Sequence, residues 1–152
     1  ILGLQDYLTA LSQHHGGSYT ALRQQLAHSF QLFSDHEAQL SQRLLDFLNS
    51  QAQVRVIGPT GAEAQQRVPT IAFVIDGVNS ATIPPQVDAH HIGIRYGDFY
   101  ARRLIQDLGL AKQGGVVRVS MVHYNTLEEC DRLIRILDYT GLTTASSSRA
   151  KT

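Results

Sequence analysis

Residues 18 to 49 contain neither glycine nor proline, so the two strongest helix breakers are missing for roughly nine turns. Within that run Leu22, Leu26, Phe30, Phe33, Leu40, Leu44, Phe47 and Leu48 form a long apolar stripe, and Ser18 is placed to cap its start. The spacing predicts one helix from about Ser18 to Asn49, far longer than the usual 11–12 or so residues. A helix of that length suits a connecting rod whose ends lie against different bodies of packed structure. Before it, Leu2, Leu4, Leu8 and Leu11 give a shorter amphipathic pattern that Gly16-Gly17 terminates. The chain opens inside this pattern at Ile1, without a methionine, and the expectation is a piece of something longer.

From Gln53 the period changes. Short β-like runs occur at 54 to 58 (VRVIG), 70 to 76 (TIAFVID), 92 to 96 (IGIRY) and in VVRVSMV at 116 to 122. Between the second and third, PPQVDAHHIG begins with prolines suited to a helical first turn. Between the third and fourth, Phe99, Leu104, Ile105 and Leu108 follow helical spacing. The last helix opens with Thr126 as N-cap and Glu129 three residues on, a capping box, and is expected to bury Leu127, Cys130, Leu133, Ile134 and Leu137. The order is β, β, α, β, α, β, α. Residues 141 to 152 are small and polar and read as a disordered tail.

Thirteen basic residues balance thirteen acidic ones without basic clusters, which gives no electrostatic reason for nucleic acid or a membrane surface as partner. No apolar run reaches the roughly 18 residues of a spanning helix, and a signal-peptide pattern is missing from the residues at hand. The single cysteine, Cys130, rules out an internal disulfide framework and fits a reducing compartment, the cytoplasm being the expectation.

Seven histidines raise the question of a metal. The pairs His14-His15 and His90-His91 are adjacent, so on a helix their side chains diverge by about 100 degrees and do not chelate one ion. No metal is expected. His123, at a strand end beside Tyr124 and Asn125, reads as an edge histidine supporting a turn. Cys130 lies on an apolar stripe and reads as a small hydrophobe. Lys112 and Lys151 sit in a glycine-rich loop and in the tail, neither placed to be desolvated for Schiff-base chemistry. Neither a phosphate-cradling glycine loop nor a nucleophile elbow is present.

Two arginines remain. In the last strand Val117, Val119 and Met121 share one face, and Arg118 and Ser120 the other. Arg95 closes the preceding short strand. Guanidinium groups match a carboxylate bidentately, so strand arginines beside open loops make a carboxylate clamp. The competing reading is structural ion pairing with Asp98, Asp88 or Glu128.

Three ordered stretches, RVPTIAFVIDGV, HHIGIRYGDFYARRL and RVSMVHYNTLEECDRLIRIL, resemble the C-terminal domain of class V aminotransferases, the pyridoxal-phosphate enzymes that include cysteine desulfurases. The resemblance is specific from about Val68 to Leu137. It implies an α/β fold of the two-layer α+β kind: a mainly antiparallel sheet of about four strands with helices on one face, preceded by a long interdomain helix. Residues 1 to 50 then form the helical end of a large domain and the connecting helix, and 51 to 140 the small C-terminal domain of a fold-type I enzyme that is normally a homodimer. It also implies that Arg118, of the Arg-x-Ser strand, binds the α-carboxylate of an amino-acid substrate, with Arg95, of the Arg-x-Gly stretch, nearby. Desulfurases carry a catalytic cysteine where this chain has Tyr100, and a phenol does not accept sulfur as a thiolate does. The resemblance therefore points to a desulfurase-like subgroup lacking that cysteine. The Schiff-base lysine and most cofactor contacts belong to the family's large domain. Pyridoxal 5'-phosphate is thus expected in the full-length protein and not in this stretch, which should be inactive alone. The alternative is a non-catalytic binding or dimerisation module whose strand arginines are structural.

Overall fold

The structure is a computed structural model that describes residues 2 to 139. Two helices come first, α1 (Leu2–His14) and α2 (Leu22–Ser50). There follow β1 (Val54–Ile57), β2 (Thr70–Ile75), a short 3-10 turn, α3 (Ile83–Asp88), β3 (Arg95–Gly97), α4 (Arg102–Asp107), a second 3-10 turn, β4 (Val116–Ser120) and α5 (Leu127–Tyr139). The four strands form one antiparallel sheet in the order β1-β2-β4-β3. The predicted sequence of strands and helices and the α/β class are borne out; the expected tail at 141 to 152 lies outside the described residues.

Alternation along β2 and β4 splits the sheet into two faces. Ile71, Phe73 and Ile75 point to the same side as Val117, Val119 and Met121, and meet Leu40, Leu44, Leu45 and Leu48 of α2 together with Cys130, Leu133 and Leu137 of α5. Each large apolar side chain buried this way stabilises the fold by about 1.5–3 kcal/mol. The long helices therefore share one face. On the other, a smaller cluster joins Val74 and Val116 to Ile105 of α4 and Leu110 behind it, so the short α4 covers part of the outer face.

Helix α2 is nearly as long as expected, but it starts later than its sequence suggested. Ala21 is the N-cap, without a side-chain cap bond, and Ser18 lies outside the helix. The local polar chemistry is spent elsewhere: the Gln25 amide reaches back to the Tyr19 carbonyl at 2.8 Å. The N-terminal half of α2 packs on α1 through buried serines, Ser29 donating to the Leu8 carbonyl (2.6 Å) and Ser12 bonded to His28 Nδ1 (2.9 Å). Its C-terminal half packs on the sheet. Of the α1 stripe only Leu8 is buried, and Leu2 and Leu4 are exposed.

Other boundaries moved for physical reasons. The third strand covers Arg95–Gly97 rather than 92 to 96: Ile92 and Ile94 alternate like a strand, yet they pack into the inner core from the connection after α3. Phe99 was expected on the following helix and instead precedes it, in a turn with φ of 49°. In α5, Leu127 is 41% exposed and Ile136 takes its place in the core, because the buried stripe begins one turn later, at Cys130. Glycine is required at the seam of the two neighbouring strands. Gly115 has φ of 81°, and a Cβ there would stand 2.3 Å from the Gly97 carbonyl oxygen, where β3 and β4 converge.

Candidate functional site

The root of α5 is tightly organised. Asn125 folds the turn from β4 by accepting from the Val122 amide with its side chain (2.9 Å), while its own amide donates to the Val122 carbonyl (2.9 Å). The capping box is present: the Glu129 amide donates to Thr126 Oγ1 (3.1 Å) and the Thr126 amide to Glu129 Oε2 (2.9 Å). The Thr126 amide first, and the Asn125 side chain second, hold the Glu129 carboxyl below its ordinary pKa. His36 of α2 bonds the Asn125 carbonyl at 2.7 Å, and Arg43 pairs with Asp131 at 2.6 Å, so the turn and α5 are fastened to α2.

His123 supports this turn, as its position suggested. Its ring stacks on Phe33 at 3.8 Å and its Nε2 lies 2.9 Å from the Tyr7 hydroxyl, joining α1, α2 and the end of β4 beside a groove of about 440 Å³. Cys130 is buried, and burial pushes its thiol up to about 11, which suits packing and not nucleophilic attack. No group of three or more metal-ligating side chains occurs among the described residues. None of the described helices is long and apolar enough to cross a membrane.

The arginines occupy the outer face. In the β3–β4 register Arg95 is directly opposite Arg118, and Arg118 is opposite Ala72 of β2, so the three side chains form one row. Arg118 is half-buried; its guanidinium carbon lies 4.0 Å from the Phe99 ring centroid, and its buried Nε has no hydrogen-bond partner. Arg95 is exposed and spends one nitrogen on the Ile94 carbonyl at 3.0 Å. Neither pairs with Asp98, Asp88 or Glu128: the ion pair found among the described residues is Arg43 with Asp131. Asp98 instead accepts from the Tyr100 amide (3.1 Å), closing a turn in which Phe99 and Tyr100 both have positive φ, at 49° and 63°. Left-handed backbone at two bulky residues costs of order 1–3 kcal/mol each. That cost sets the Phe99 ring against Arg118 and leaves Tyr100 wholly exposed. Below the row, Thr70 and Ser120 contribute exposed hydroxyls.

The sequence singled out both arginines but not what surrounds them. Their cross-strand opposition depends on register, and Phe99 was hidden by its apolar character, which reads as helix.

The Aminotransferase class-V family profile matches residues 16–133. The aminotransferase-like protein FGM3 of Gibberella zeae is 42% identical over 106 residues, covering 69% of this chain and 26% of the relative. A probable cysteine desulfurase 2 of Mycobacterium leprae is 34% identical over 110 residues, covering 70% and 25% respectively. The chain thus spans about a quarter of the length of these relatives. Among solved structures, a cysteine desulfurase from Thermococcus onnurineus superposes with a TM-score of 0.64 at 22% identity over 78% of this chain and 29% of that one, which supports the fold. The E. coli desulfurase CsdA gives 0.58 at 22% identity, over the same shares. With a match over most of its length, and a fold shared with those desulfurases, the chain belongs to the class V aminotransferase family.

Proposed function

We propose that this chain supplies the substrate-carboxylate-binding small domain of a desulfurase-like enzyme acting on an amino acid, with Arg118 gripping the α-carboxylate. One observation carries the reading: Arg118 is half-buried against an aromatic ring with an unsatisfied Nε and without a carboxylate partner. A guanidinium in that state favours an anionic ligand, since a partly desolvated cation gains most from a bidentate acid group. Residues 51 to 140 form the small domain in this proposal, and 1 to 50 the end of the large domain with its connecting helix.

Members of the family use pyridoxal phosphate. The residues described here do not fit its covalent attachment, because Lys112 is the lysine among them and it is exposed in the 3-10 turn before β4. In our reading the cofactor is held by the remainder of the complete protein, a cytoplasmic homodimer, and this stretch neither retains the cofactor nor turns over alone. An absorbance band that appears on adding the cofactor and survives gel filtration would refute that part. In the full-length protein, Arg118→Ala should weaken amino-acid binding roughly 10- to 100-fold with cofactor retained, the value of a charged hydrogen-bonded contact. Unchanged affinity would favour instead a binding or dimerisation module with structural arginines.

A further inference from the structure

A cation beside an apolar sheet face needs an anchor, and the usual anchors, carboxylates and carbonyls, occupy the donors with which a guanidinium grips a ligand. Arg118 is anchored differently. Its guanidinium carbon lies 4.0 Å from the centroid of the Phe99 ring, while its Nε is unbonded and no ion pair reaches it among the described residues. A ring attracts a guanidinium through its flat face, whereas hydrogen bonds leave it in its plane. The ring therefore restrains the arginine and uses none of its donors.

The fold accepts strain to place that ring. Phe99 and Tyr100 both have positive φ, 49° and 63°, and the turn is closed at Asp98, whose carboxylate accepts from the Tyr100 amide (3.1 Å) and whose carbonyl accepts from the Ala101 amide (2.8 Å). Bulky residues persist in left-handed backbone only where their surroundings over-determine it, and such positions cluster at ligand sites. Phe99 also packs against the outer cluster of Val74, Ile105, Leu110 and Val116, so its position is set by the fold before any ligand arrives.

We infer that Phe99 is a positioning residue for Arg118: its ring fixes and partly desolvates the guanidinium, leaving the donor fork free and preset for a carboxylate. The inference rests on the α-carboxylate reading of Arg118. A preset guanidinium loses less side-chain freedom on binding, and a partly dry one attracts an acid more strongly. The competing role is a ring that only fills the outer cluster, a task leucine performs as well.

The test is an equilibrium titration of the full-length, cofactor-loaded protein with L-alanine and with ethylamine, which is alanine without its carboxylate. The ratio of the two affinities reads the carboxylate contact. Phe99→Leu keeps the apolar bulk and should cut that ratio about three- to tenfold with ethylamine binding unchanged, the value of a half-buried cation–ring contact. Phe99→Tyr should restore the ratio. Replacement of Phe99 by pentafluorophenylalanine, which keeps the ring but reverses the charge of its face, should cut it at least as far as leucine does. An unchanged ratio in either variant, or an equal loss of alanine and ethylamine binding, overturns the inference and leaves packing as the role of the ring. Arg118→Ala separates that failure from failure of the underlying assignment. If wild type prefers alanine and Arg118→Ala abolishes the preference, the α-carboxylate assignment stands whatever Phe99 does. If the preference is missing in wild type, or survives Arg118→Ala, the assignment fails and takes the inference with it.

Discussion

On the inner face of the sheet, Ile71, Phe73, Ile75, Val117 and Val119 meet α2 and α5 and lose nearly all contact with water. On the outer face the same two strands present Thr70, Ala72, Arg118 and Ser120, and only Val74 and Val116 are sealed, under α4 and Leu110. The inner face buries apolar side chains against one another. The outer face leaves a half-buried guanidinium against a ring and a second one across from it. Apolar packing and unpaired positive charge lie on opposite sides of the same two strands, so substitutions on the two sides should report different quantities.

The largest effect is expected inside. Phe73→Ala should cost about 3–5 kcal/mol in chemical denaturation, through lost burial and the cavity left between α2 and the sheet. Next is the seam between the faces: Gly115→Ala should cost roughly 2–4 kcal/mol, because its Cβ meets backbone and not a movable side chain, and its φ is positive. If it is tolerated within experimental error, the close approach of β3 and β4 is wrong. Thr126→Ala should lose about 1 kcal/mol with the cap. Its partner Glu129 has a folded pKa below its ordinary 4.5, so its contribution is complete above that value and is lost as pH falls through the lower folded one. Glu129→Gln should remove that acid-side slope from a plot of stability against pH. The smallest effect belongs outside: Arg95→Gln should leave stability within about 0.5 kcal/mol of wild type. A large loss there would erase the distinction between the faces.

The inner face was legible in the sequence because a period of two in β2 and β4 and the glycine-free stripe of α2 are imposed by burial itself. The capping box at Thr126 and Glu129 was legible for the same local reason: its partners are three residues apart. Legibility failed where tertiary demand overrode local pattern. Ile92 and Ile94 imitate a strand but serve as plugs for the inner core, and Phe99 imitates a helix residue but is turned out at positive φ. The arginines were visible as residue types, and Val117 and Val119 fixed which way Arg118 faces. Their mutual opposition was not visible, since register between β3 and β4 is set by contacts such as that of Gly97 with Gly115, eighteen positions away.

The strand that carries Arg118 is flanked on both sides, by β2 and β3, whereas Arg95 lies on a three-residue strand at the border of the sheet. One guanidinium is consequently bolted into a rigid lattice and the other hangs on its margin. Substitution at the margin can therefore alter what the outer surface presents while the lattice that carries the fold stays in place.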